Sequence, residues 1–227
     1  RKLGFKGYKD YKMILAQEVS LNNQGEKIVS DTVKLNDDLT TMSKKIVNGI
    51  ELAMEETLIL VDYKILEKVV KEMEKAKRIY FFGVGYSGLA CLEAKYKYMA
   101  LGLKVEAYTD NHFMAMVAAT LDENDLVVGI SHSGRTLETL KAMEIAKKSG
   151  AKTIAITHYA KSPITDFADY TLLNGSKEGL LQGGAMNTKI SQLLVLEFMY
   201  TKFLMNNEDR AIELKKKERE AISTSIY

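Results

Sequence analysis

The stretch "FFGVGYSGLACLEAKYKYMALG", Phe81 to Gly102, decides how the rest of the chain is read. A short β-rich run ends in a glycine turn, and a helix-forming segment follows. Gly83, Gly85 and Gly88 satisfy G-x-G-x-x-G, the spacing that opens a dinucleotide-binding unit. Glu106 and Asp110 lie near the position of a ribose-binding carboxylate. The same turn can also cradle a smaller phosphorylated ligand, so the choice passes to the surrounding segments.

Outward from this turn the β-rich runs are "RIYFFG" (78–83), "KVEAYT" (104–109), "DLVVGIS" (125–131), "KTIAIT" (152–157) and "DYTLL" (169–173). Amphipathic helices fill most of the gaps between them. Apolar runs separated by helices predict an α/β fold, a parallel five-stranded sheet flanked by helices on both faces. Ligands of such sheets gather beyond the C-terminal ends of the strands. Upstream, residues 8 to 19 read as a helix and "SLNNQGEK" as a linker. A second helix runs from near Asn36 or Asp37, either of which can cap it, to about Leu60. Asp62 caps a third, with Leu66, Val69, Val70 and Met73 on one face. A long helix from 185 to about 206 and a charged tail helix finish the chain.

The 227 residues are 46% hydrophobic and 27% charged, the balance of a globular protein and not of a disordered one. No apolar run approaches the roughly 18 residues a membrane span needs. The single cysteine, Cys91, rules out an internal disulfide and fits a reducing cytoplasmic setting. It sits near Leu89, Leu92 and Ala94 on the helix after the glycine turn and reads as core. Three scattered histidines have no metal-ligand spacing, so no metal is expected. The net charge of +2 hides a basic start, where Arg1, Lys2, Lys6, Lys9 and Lys12 face Asp10 alone. In "EDRAIELKKKERE" acids and bases balance, as on a solvated helix.

The third strand leads into "SHSGRTLETL", Ser131 to Leu140. Ser131, Ser133 and Thr136 place three hydroxyls around a glycine at a helix N-terminus, where unsatisfied N–H groups and the helix dipole favour an anion. A helix cap needs one hydroxyl, not three. A dinucleotide fold needs one glycine turn and has no use for a hydroxyl-rich loop two strands later. Ser87 adds a hydroxyl inside the glycine turn itself. The two loops together read as a cup around one compact phosphorylated ligand, with no dinucleotide cofactor; an NAD-binding protein remains the weaker reading.

"GVGYSG" followed by "ISHSGRT" resembles the SIS (sugar isomerase) domain, whose members bind phosphosugars. The strings "YTDNHFMAMVAATLDENDLVVGISHSGRT", "AKKSGAKTIAITHYAKSPITDFADYTLL" and "EGLLQGGAMNTKISQLLVLEFMY" bring the resemblance closer to the RpiR (MurR/RpiR) family of bacterial transcription regulators, over about residues 40 to 205. The opening "RKLGFKGYKDYKMILAQEV" is similar to the last part of that family's N-terminal helix-turn-helix domain. The resemblance implies a Rossmann-like three-layer sandwich preceded by the tail of an all-α domain. It divides the chain into a DNA-binding remnant (1–24), a linker (25–35) and a sugar-phosphate-binding domain (36–227). It also implies that the chain begins inside the DNA-binding domain, with most of the recognition element upstream of Arg1.

The resemblance further implies that Ser131, Ser133 and Thr136 hold the phosphate, helped by the amides of His132 and Gly134. Ser87 would reach the phosphate or a sugar hydroxyl, and His112 and Glu178 would address the sugar ring. Lys189 stands where relatives often carry Arg, so it offers a phosphate salt bridge or merely a solvated face. Glu178 could act as an isomerase base or only accept hydrogen bonds from hydroxyls. His158 reads as a satisfied loop residue. The expected protein is a cytoplasmic regulator that binds a sugar phosphate, such as an N-acetylhexosamine 6-phosphate, and operator DNA. It is expected to be a homo-oligomer, a dimer or dimer of dimers, with helices 36–60 and 185–206 as its contact surfaces. The alternative is a sugar-phosphate aldose–ketose isomerase or related lyase of the same fold.

Overall fold

The computed structural model describes residues 33–175 and 186–223. Its elements in order are α1 (Leu39–Leu60), α2 (Tyr63–Lys75), β1 (Arg78–Phe82), α3 (Gly85–Met99), β2 (Val105–Tyr108), α4 (Asn111–Ala118), β3 (Asp125–Ile130), α5 (Leu137–Lys148), β4 (Lys152–Thr157), a 3-10 turn (Pro163–Phe167), β5 (Tyr170–Leu173), α6 (Met186–Asn206) and α7 (Glu208–Ser223). All five expected strands form. The expected helix over 8–19, the linker and Glu178 lie outside the described residues.

The strands pair in parallel in the order β2-β1-β3-β4-β5. Successive side chains of β1 alternate between two cores, as a period of two requires. Ile79 and Phe81 join the layer of α2, α3 and α6, where Val70, Met73, Tyr98 and Met199 are fully buried. Tyr80 and Phe82 join Met114, Met143 and Ile164 in the layer of α4, α5 and the 3-10 turn. Every residue of β3 is buried, which is why "DLVVGI" reads as a continuous apolar run and not as an alternation.

Side chains set the helix boundaries. Asp62 caps α2 by accepting the N–H groups of Lys64 and Ile65. The cap of α1 is Asp38, which accepts the N–H of Thr41 at 2.6 Å, and not Asn36 or Asp37. Asp37 is drawn off by Lys45 Nζ at 2.8 Å and by the N–H of Lys34, and these hydrogen bonds hold its carboxyl below the usual range. At the other end of the sheet from the strand C-termini, Arg78 on β1 grips Asp125 on β3 with two hydrogen bonds of 2.7 Å.

α1 packs on α6 but buries only Ala53 and Thr57, leaving Leu39, Val47, Leu52, Leu58 and Ile59 exposed. α6 turns its apolar side inward, with Val195, Leu196, Met199 and Phe203 in the core. Cys91 is buried in that core as expected, and burial pushes its thiol pKa up. Among the described residues, no helix is long and apolar enough to cross a membrane.

Candidate functional site

Between β1 and β3 the chain reverses its order across the sheet, so α3 leaves β1 on one face and α5 leaves β3 on the other. A crevice at the strand C-termini follows from that divergence, and it is where ligands of open parallel sheets bind. The glycine turn and the hydroxyl loop are its two walls. They approach so closely that a Cβ on Gly83 would lie 3.1 Å from the carbonyl oxygen of Ile130.

In the glycine turn, Gly85 has φ +58°, a left-handed conformation that side chains other than glycine adopt with strain. Gly88 lets α3 pack on its own strand, since a Cβ there would meet the Gly83 carbonyl at 2.9 Å. Ser87 lies half-buried in the first turn of α3, and its Oγ accepts a hydrogen bond from Gln192 Nε2 at 3.0 Å. The two carboxylates that a dinucleotide reading would give to a ribose are otherwise engaged. Glu106 pairs with Lys95 at 2.7 Å, and Asp110 caps α4 by accepting the N–H groups of His112 and Phe113.

The hydroxyl loop does not use its threonine as a cap. Thr136 occupies the N-cap position of α5 yet makes no capping bond. Its Oγ1 instead lies 3.0 Å from Ser131 Oγ. In such a pair one proton is shared and the other stays available to a ligand. Ser133 Oγ accepts the N–H of Arg135 at 3.2 Å, which leaves its own proton free to donate elsewhere. Glu138 and Arg135 are the nearest charges in sequence, and both are exposed.

Gly134 plays a different part from the one expected of it. Its N–H is spent inside the loop, donating to the Ser131 carbonyl at 3.0 Å. The residue is required for its φ of +61° and its missing side chain, because a Cβ would collide with Ser162 Oγ. The His132 ring turns inward, 8% exposed, stacked 5.2 Å from His158. Burial, followed by the neighbouring His158, lowers its pKa to about 4, so the ring is neutral at pH 7. His158 is satisfied, with Nδ1 2.9 Å from the Asn174 carbonyl.

Beneath the loops lies a buried polar cluster that the sequence reading missed. Asn174 Nδ2 donates to Ser191 Oγ at 2.8 Å and lies 3.4 Å from His132 Nδ1. Next to it, the N–H of Gly175 donates to Thr57 Oγ1 on α1 at 2.9 Å. Among the described residues, four atoms in this region, His132 Nε2, Asn174 Oδ1, Thr188 Oγ1 and Gln192 Oε1, are buried without a hydrogen-bond partner. Each such atom costs about 1–3 kcal/mol, a cost that buried polar groups in native proteins seldom carry without reason. A signal for the α6 members was present: Thr188, Ser191 and Gln192 fall at helical spacing on the same face as Val195 and Met199.

Of the remaining expected residues, Lys189 is half-buried in the first turn of α6. His112 is exposed in the first turn of α4, its ring 6.2 Å from that of Phe113. Among the described residues, no group of three or more His, Cys, Asp or Glu could hold a metal ion.

Residues 72–202 match the SIS domain family, so the crevice belongs to a SIS domain. A Haemophilus influenzae protein named an HTH-type transcriptional regulator is 44% identical over 218 residues, covering 96% of this chain and 76% of its own. A Clostridium perfringens protein of the same description is 33% identical, covering 98% and 79%. Among solved structures, Vibrio vulnificus NanR complexed with ManNAc-6P superposes with a TM-score of 0.83 at 25% identity, over 99% of this chain and 78% of that one. The sugar isomerase domain of an RpiR transcription factor from Sphaerobacter thermophilus shares the fold, with a TM-score of 0.72 at 18% identity, over 79% and 98%. The chain belongs to the RpiR family of helix-turn-helix transcriptional regulators.

Proposed function

We propose that the SIS domain of this regulator binds a sugar phosphate, an N-acetylhexosamine 6-phosphate, as the effector that controls DNA binding. The observation that carries this reading is the start of α5, where three hydroxyls gather and none of the Thr136 side chain is used as a cap. Ser131, Ser133 and Thr136 hold the phosphate, with the His132 amide beside them. Ser87 closes the cup from the glycine turn, and Lys189 supplies a cation. His112 and Glu178 address the sugar ring. Support for the ligand class comes from NanR, the structural neighbour complexed with ManNAc-6P.

On this reading residues 1–24 are the end of the helix-turn-helix domain, 25–35 a linker, and 36–227 the sensor. The regulator works in the cytoplasm as a homo-oligomer on operator DNA, and the exposed apolar side of α1 is its contact surface. Effector occupancy biases one of two arrangements of the protomers and so the spacing of the DNA-binding elements.

The test is proton NMR of a mixture of ManNAc-6P, other hexose phosphates, NAD and unphosphorylated sugars, followed overnight with and without the protein. Selective broadening of the N-acetylhexosamine phosphate, with its signals unchanged next day, is the expected result. New sugar signals growing with time would mean turnover and an isomerase. Broadening of NAD alone would return the glycine turn to a dinucleotide.

A further inference from the structure

Gln192 is 1% exposed on the inner face of α6, and its Nε2 reaches Ser87 Oγ at 3.0 Å while Oε1 has no partner among the described residues. The reverse orientation would let Ser87 donate to Oε1 but would leave an NH2 group with two buried, unsatisfied donors. The observed orientation leaves the oxygen and one N–H unpaired and the reverse leaves both N–H groups unpaired, and a buried N–H is the costlier of the two to strand, so Nε2 faces Ser87. A glutamine selected for stability alone would not be buried with an unpaired oxygen, since an apolar residue of the same shape would avoid the cost.

The consequence falls on Ser87. A hydroxyl has one proton and two lone pairs, and here a lone pair is already taken by the Gln192 N–H. The Ser87 proton must therefore point away from α6. Ser87 is half-buried in the first turn of α3, the wall opposite Ser131 and Thr136. We propose that Gln192 is a positioning residue of the effector site: it fixes Ser87 as a hydrogen-bond donor, so that Ser87 gives its proton to an anionic phosphate oxygen and does not accept one from a sugar hydroxyl. The inference rests on the phosphosugar reading and assigns a direction to one of its hydrogen bonds. Gln192 itself need not touch the ligand.

The test uses wild type, Ser87→Ala, Gln192→Met and the double variant, titrated with ManNAc-6P by calorimetry and with inorganic phosphate by phosphorus NMR. Losing one charge-assisted donor should weaken both probes about tenfold in Ser87→Ala. Gln192→Met should weaken them by a similar factor when Ser87 is present and have no further effect beside Ser87→Ala, the signature of a residue that acts through another. Gln192→Glu keeps the side-chain length and gives Ser87 a carboxylate to donate to, so it should weaken binding more than Gln192→Met does. A merely structural role would make the Gln192→Met loss equal with and without Ser87→Ala, or would spare inorganic phosphate, and either result overturns the proposal. A wild-type protein that binds neither probe would remove the phosphosugar reading, and the inference with it. A wild type that binds while both Gln192 variants bind equally well would remove the inference alone.

Discussion

Thr57 on α1 accepts the backbone N–H of Gly175 at 2.9 Å, joining residues 118 apart in the chain, while its own hydroxyl donates to the Ala53 carbonyl at 2.7 Å. The bond fastens the short segment Asn174–Gly175 after β5 to α1. Thr57→Val keeps the shape and removes both bonds. Stranding the buried Gly175 N–H should cost about 1–3 kcal/mol. A lowered melting temperature and faster hydrogen exchange at the Gly175 amide are expected; unchanged exchange there would show that the bond does not hold the segment.

Ser133 keeps its proton for another acceptor, since its bond to Arg135 uses only a lone pair. Ser133→Ala should weaken phosphosugar binding by about 1.5–3 kcal/mol, roughly ten- to a hundredfold, with little change in thermal stability. Calorimetric titration with ManNAc-6P gives the comparison. Equal affinity in the two proteins would reduce the loop to a turn.

His132 should make the fold sensitive to mild acid. Its pKa falls from an ordinary 6.5 to about 4 in the folded protein, because burial disfavours the imidazolium and His158 adds to the penalty. Glu56 opposes both. Between those values the unfolded chain binds the proton and the folded chain does not, so stability declines as the pH drops from about 6.5 toward 4. By pH 5 the loss should reach about 2 kcal/mol. Thermal unfolding of wild type and His132→Gln at pH 7.5 and 5.0 should show the smaller decline in the variant, and equal declines would contradict the assignment.

Asp125 should matter for the fold and not for the ligand. Its carboxylate is buried, accepts two hydrogen bonds from Arg78 and one from the N–H of Asp122, and sits at the N-terminal end of β3, away from the crevice. Asp125→Ala should cost about 2–3 kcal/mol, less than a fully buried pair because Arg78 is half-exposed. Urea unfolding should show the loss, and titration of the still-folded variant should show unchanged phosphosugar affinity. A parallel loss of affinity would mean that the two ends of the sheet are coupled.

How much of this could be read from the sequence varies with the physics involved. The strands were legible because "RIYFF" and "DLVVGI" are too short and too β-branched or aromatic for helices, and glycine or a hydroxyl residue stops them. That the loop after β3 is more than a cap was legible in its three hydroxyls, and Thr136 indeed makes no capping bond. The α1 cap was not, since Asn36, Asp37 and Asp38 are equally able to cap and it is the bonds to Lys45 and to the Lys34 N–H that remove Asp37 from the choice. Gly134 was assigned its amide when its role is conformational, because the crowding by Ser162 is a tertiary fact. Gln192, Asn174 and Thr57 were passed over for the same reason. A polar residue at a core position of a helix is visible as a pattern, but its partner is 105 residues away for Gln192 and 118 for Thr57.

α1 has 22 residues and touches the Gly175 segment near its C-terminal end, through Thr57. At about 1.5 Å per residue, Leu39 lies roughly 27 Å from that anchor. A tilt of about 5° about Thr57 would displace Leu39 by about 2.4 Å. Leu39, at the start of α1, is therefore the part of the helix that moves most when its Thr57 anchor shifts.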